Sequence, residues 1–177
     1  LAVRKRRGPH TQDPQRFAED CTAHPVLAGC KVYQDIQAGA TAESRQRLSS
    51  NLSDPRVAAI VSLDLGLSRG FTDKSLADLH RPVLVIAAGW PSEELPARLE
   101  SADLARRLPQ ASVRYLEISD ATHFSFMAPC KPDAVQLIEQ NDPGDGIICR
   151  DGDGGRPRAL IQQQVLGVIS EFLAQSL

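Results

Sequence analysis

Two apolar runs dominate the hydrophobic pattern of this chain. Pro82 to Gly89 carries Val83, Leu84, Val85, Ile86, Ala87 and Ala88 without a polar interruption, and Arg56 to Asp64 carries Val57, Ala58, Ala59, Ile60, Val61 and Leu63 between a Pro-containing turn and a carboxylate. Short continuous apolar runs bounded by turn residues predict strands covered on both faces in a parallel sheet. Val113 to Ile118 alternates instead, which predicts a third strand with one partly polar face.

Helical signals fall between and around these runs. Asp13-Pro14 has the form of an N-cap followed by proline at the first helical position, opening a helix that ends near His24-Pro25. Cys21 to Cys30 is expected to bracket a turn. The polar run Thr41 to Leu52 has neither Gly nor Pro and predicts a helix with a mostly solvated face, stopped by Ser53-Asp54-Pro55. Thr72 or Asp73 caps a short helix reaching Leu79, and Glu100 to Leu108 forms another before Pro109. After a Gly- and Asp-rich loop from Asp142 to Gly155, Pro157 starts a last helix. Its Ile161, Val165, Val168, Ile169 and Phe172 recur at helical spacing and should pack on the sheet.

Strands alternating with helices predict an α/β doubly wound fold, because a crossover between parallel strands needs a helix to cover the sheet. Three strands leave two open edges. The expected fold is therefore the C-terminal part of a larger α/β domain, three mostly parallel strands with flanking helices, whose sheet an N-terminal segment or a second chain completes. Residues 1–177 form a single partial domain on this reading, helical over 1–53 and strand-helix over 54–177. The first residue is Leu1 rather than Met, as in a processed, nicked or truncated polypeptide.

Composition narrows the function classes. With 42% hydrophobic and 24% charged residues, the 177-residue chain can bury a core. A net charge of −2 gives no field for nucleic acid, and the run Arg4, Lys5, Arg6, Arg7 is expected to be a solvated helix end. No apolar stretch approaches the roughly 20 residues of a membrane span. The four cysteines, Cys21, Cys30, Cys130 and Cys149, form two local pairs without zinc-site spacing. Two short-range disulfides, worth about 2.5 to 3 kcal/mol each in chain-entropy models, would place the chain in a periplasmic or secreted compartment. Three pairings and the reduced state remain open.

Ligands of open α/β sheets bind beyond the carboxyl ends of the strands, and Asp64 and His123 both follow a strand. A histidine there acts as general base when a carboxylate takes its second ring proton and fixes the tautomer. Asp54 to Asp64 and Asp120-Ala121-Thr122-His123-Phe124-Ser125-Phe126 resemble the acid-bearing strand and the histidine loop of the dienelactone-hydrolase-like and plasma-type platelet-activating factor acetylhydrolase branch of the α/β-hydrolases. The paired cysteines and the segment Asp142 to Gly155 resemble features of its secreted bacterial members, so the likeness covers roughly residues 13 to 177. It implies a serine ester hydrolase acting on a small-molecule ester, with His123 as base and Asp64 as the acid that orients it. It implies no cofactor or metal, and it places the family's G-x-S-x-G nucleophile elbow upstream of residue 1 or on a second chain.

One string, Gly66-Leu67-Ser68-Arg69-Gly70, fits the elbow pattern. Were Ser68 the nucleophile, Asp64 would share its strand end, so the string reads as a decoy. The commoner hydrolase arrangement puts the acid after the next strand, where Ser92 stands, leaving Glu93, Glu94 and Glu100 as second candidates for the acid. Asp120 is a candidate to cap its loop or touch His123. Asp145, Asp151 and Asp153 suggest a calcium loop but lack full EF-hand spacing. His10, His24 and His80 are expected at the surface, and the lone Trp90 either lines a pocket or fills space. The rival class is a non-catalytic, hydrolase-like binding or structural module.

Overall fold

A computed structural model describes residues 12–37, 39–50 and 54–176. The basic run, His10 and Ser53 lie outside the described residues. The elements are α1 (Pro14–Ala23), α2 (Ala28–Asp35), α3 (Ala42–Leu48), β1 (Ile60–Leu63), α4 (Asp73–Ala77), β2 (Val83–Ala88), α5 (Ser101–Arg107), β3 (Val113–Ile118), α6 (Ala134–Asn141) and α7 (Arg158–Ser176), with 3-10 turns at Ser68–Gly70, His123–Phe126 and Asp145–Cys149. The three strands form one parallel sheet in the order β1-β2-β3. The expected α/β architecture, three strands with flanking helices, is what the chain adopts.

The central strand explains the layering. Every residue of β2 is buried, and its side chains alternate between two cores, as the pleat requires. Leu84, Ile86 and Ala88 pack with Ile161, Val165 and Phe172 of α7, whereas Val83 and Val85 pack with Leu76 and Leu79 on one side and Leu104 and Leu108 on the other. Helices thus cover both faces, but both crossover helices, α4 and α5, share a face and α7 alone occupies the opposite one.

β1 departs from expectation. It was predicted over Arg56 to Asp64 and buried on both faces, yet only Ile60–Leu63 pairs, in register with Val83–Ile86, and none of its residues is fully buried. The pairing begins at Ile60 because β2 itself begins at Val83. It ends where Asp64 turns to a left-handed φ of 46°. An edge strand has one neighbour, so its outer row of backbone groups faces away from the sheet.

The N-terminal helices build a third, smaller core. Asp13 caps α1 by accepting the Gln15 and Arg16 amides, with Pro14 inside the first turn as expected. Phe17 meets Tyr33 with ring centroids 4.4 Å apart, and Leu27 and Cys30 complete the buried cluster. The expected turn between Cys21 and Cys30 is present at Pro25-Val26, where it joins α1 to α2, a helix the sequence reading did not place. α3 is shorter than the predicted Thr41–Leu52: Thr41 and Ser44 form its capping box, and it ends at Leu48. α6 was not expected, and the predicted loop Asp142 to Gly155 contains a 3-10 turn.

Disulfides join Cys21 to Cys30 and Cys130 to Cys149, the two local pairs the sequence suggested, and they are compatible with an oxidising compartment. Among the described residues no helix is long and apolar enough to cross a membrane.

Phe172 should be the costliest truncation in the core, since it is 2% exposed and locks α7 onto β2. Phe172→Ala is expected to lower unfolding free energy by about 3 to 5 kcal/mol in urea titrations; a loss below about 1 kcal/mol would mean that α7 does not pack as described.

Candidate functional site

Asp64 owes its position to the end of β1. Its amide donates to the Ile86 carbonyl at 2.7 Å, continuing the ladder for one more residue, and the left-handed turn then directs its side chain across the end of β2. Aspartate tolerates this conformation better than most residues. One carboxylate oxygen accepts the Ala88 amide at 2.9 Å, and the other lies 2.9 Å from His123 Nδ1. The carboxylate is 2% exposed, so it is fixed by one backbone donor and one imidazole in a place water scarcely reaches.

His123 arrives from β3. Beyond Ile118 the backbone stays paired, with the Trp90 amide donating to the Ala121 carbonyl at 2.9 Å. Thr122 and buried Ser125 form a reciprocal capping box that starts the 3-10 turn carrying His123. Arg156 grips both oxygens of Asp120, at 2.7 and 2.8 Å, and holds that carboxyl far below the usual range. Asp120 therefore anchors the loop to the start of α7 and does not touch His123. With Nδ1 committed to Asp64, Nε2 has no hydrogen-bond partner among the described residues.

The dyad borders a cavity of about 610 Å³ whose lining includes Asp64, His123, Trp90, Leu67 and Ile147. Trp90 is a lining residue rather than filler. It packs so closely on Gly152 that a Cβ there would sit 2.8 Å from the indole. The loop following Cys149 thus packs against Trp90 and lines the same cavity.

The other candidates fall elsewhere. Ser68 is 0% exposed and its hydroxyl and amide engage Glu100 Oε2 at 3.0 and 3.2 Å. The elbow-like string is therefore a buried structural turn, with Leu67 rather than Ser68 in the left-handed conformation. Glu100 is spent on that turn, and burial raises its carboxyl above the ordinary value against the opposing hydrogen bonds from Ser68. Ser92 and Glu94 line the cavity, Ser92 accepting the Leu95 amide. Glu93 is exposed, and none of these three touches His123. Asp151 pairs with Arg158, Asp145 opens a 3-10 turn and Asp153 lies at the cavity. His80 is exposed and His24 half-buried. The sequence reasoning missed the Thr122–Ser125 box, although the i, i+3 spacing of two hydroxyl residues around His123 carried the signal.

Fold and site together define an α/β protein with a carboxylate–imidazole dyad at the carboxyl rim of a parallel sheet. Comparison with protein-family models, with curated proteins and with solved structures yields no match for the chain.

Two predictions test this geometry. In Asp64→Asn the amide would keep the Ala88 contact through its oxygen but donate to Nδ1, so nitrogen NMR should show the proton moving to Nε2; an unchanged tautomer would refute the hydrogen bond. Glu100 binds its proton more tightly folded than unfolded, so its contribution to stability is full below about 4.5 and declines as pH rises through the raised folded value. Glu100→Gln cannot ionise. Urea unfolding at pH 4.5 and 7.5 should show its stability relative to the parent improving with pH, and the opposite slope would contradict the burial effect.

Proposed function

We propose that this chain supplies the general base and the orienting acid of a serine ester hydrolase of the dienelactone-hydrolase-like kind, acting in the periplasm or outside the cell. The single observation that carries the proposal is the 2.9 Å contact between His123 Nδ1 and Asp64 Oδ2 at the cavity rim. A buried carboxylate on Nδ1 fixes the tautomer in which Nε2 carries the lone pair, the form needed to take a proton from a hydroxyl.

The attacking serine belongs, in this proposal, to a strand that adds in parallel to the free edge of β1, contributed by an N-terminal segment or a second chain. Neighbouring strands lie about 4.8 Å apart, so a residue at that strand's carboxyl end would sit beside Asp64 and within reach of the imidazole. The serine oxygen would attack the ester carbonyl as its proton passes to Nε2. Collapse of the tetrahedral adduct would return that proton to the departing alkoxide and leave an acyl-serine. Water, deprotonated by the same nitrogen, would release the acid and restore the serine. Backbone amides beside the serine would supply the oxyanion hole, so the chain alone is expected to be inactive.

The test is to purify the protein with any polypeptide that accompanies it and expose the assembly to a fluorophosphonate. Labelling of a serine in a G-x-S-x-G context is expected, with His123→Ala lowering ester turnover about 10³- to 10⁴-fold and Asp64→Asn by orders of magnitude, both without unfolding. Absence of labelling would favour a non-catalytic binding module. Labelling with full turnover in Asp64→Asn would reassign the acid.

A further inference from the structure

The cavity beside the dyad has a composition that selects among esters. Val32 from α2, Leu67 from the elbow-like turn, Trp90 and Leu95 from the segment after β2, Phe124 from the histidine turn and Ile147 from the disulfide-closed loop all contribute to its lining. These six come from five separate parts of the chain. Five are partly or fully apolar hydrocarbon walls, and the indole of Trp90 adds a flat aromatic face. Val32 and Ile147 are 48% and 55% exposed, so part of this apolar lining is open to an entering ligand.

The charges at the same cavity decide the sign of what enters. Asp151 pairs with Arg158, and Asp64 keeps its negative charge beside an imidazole that the proposed mechanism needs neutral. With Glu94 and Asp153 against the guanidinium of Arg150, the lining carries two excess negative charges. An anionic ligand would meet repulsion there and would also give up hydration against hydrocarbon. A neutral ligand meets neither cost. Resting on the hydrolase proposal, we infer that the site takes neutral carboxylic esters whose acyl group is a hydrocarbon of several carbons, and rejects esters or acids that carry a negative charge next to that group.

Binding can be read without a nucleophile, because Trp90 is the sole tryptophan of the chain and lines the cavity. Its indole N–H therefore gives a single, unambiguous proton–nitrogen NMR signal. Neutral methyl ketones mimic the ester carbonyl and cannot be hydrolysed, so 2-pentanone, 2-heptanone and 2-nonanone serve as probes, with hexanoate at pH 7.5 as the charged counterpart. The expected result is a saturable shift of the indole signal that tightens about tenfold for each two carbons added until the cavity is filled, as burial of methylenes predicts, with hexanoate at least tenfold weaker than 2-heptanone. Ile147→Asp, at an exposed position where folding should tolerate it, is expected to weaken 2-heptanone at least tenfold. Absence of a saturable shift, absence of chain-length dependence, or hexanoate binding as well as the ketone would each overturn the inference. Ketone binding without serine labelling would defeat the hydrolase proposal and leave the apolar site standing; serine labelling without ketone binding would defeat only the substrate class.

Discussion

The Asp64 carboxylate is the constraint around which the rest of the site is arranged. Its two oxygens answer to two different strands: the Ala88 amide ends β2, and the His123 ring comes from the loop beyond β3. A charge at 2% exposure is costly to bury unless its lone pairs are occupied, and here one backbone N–H and one imidazole meet that need. Removing either leaves the carboxylate under-satisfied in a closed place. The pairing is therefore structural as well as chemical, and it requires the strand ends to be aligned.

The sheet makes that alignment possible. Fully buried β2 is held from one face by α7 and from the other by α4 and α5, and its register with β1 and β3 fixes where the three strands end. Gly89 lets the chain leave β2 while still hugging β3, since a Cβ there would lie 2.7 Å from the Ser119 backbone. That close approach sets up the Trp90–Ala121 hydrogen bond, and from Ala121 the Thr122–Ser125 box places His123. A short run of backbone contacts thus connects the most buried strand to the most exposed member of the dyad.

Much of this was legible from residue patterns, for identifiable reasons. β2 and the apolar stripe of α7 depend on burial, which leaves a strong periodic trace, and the Asp13-Pro14 start of α1 depends on local capping chemistry. Asp64 and His123 were legible because strand-end positions in parallel sheets converge. What escaped was decided by tertiary contact. α2 contains Gly29, a poor helix residue, and forms where that glycine admits the Leu67 side chain against the helix backbone. The four-residue extent of β1 follows from where β2 begins, which no local pattern in Arg56 to Asp64 encodes. The Ser68 string shows the converse: five residues matched a motif, but Glu100, distant in sequence, determines that the hydroxyl faces the core.

Two parts of the cavity lining that the sheet does not hold are tied by the disulfides. Cys30 lies in α2, between Gly29 and Val32 of the lining, and is bound back to α1. Cys149 immediately precedes Arg150 to Asp153, which also line the cavity, and is bound to Cys130 just beyond the histidine turn. Both segments are short, loop-like or marginal as helices, and neither belongs to the two large cores. Without a covalent link each would rely on a few contacts of its own, such as Gly152 against Trp90. Closing loops of this size removes about 2.5 to 3 kcal/mol of unfolded-state freedom apiece, and each link also restrains a segment of the cavity lining. The sheet thus positions the carboxylate–imidazole dyad, while the disulfides restrain two of the segments that bring apolar surface beside it.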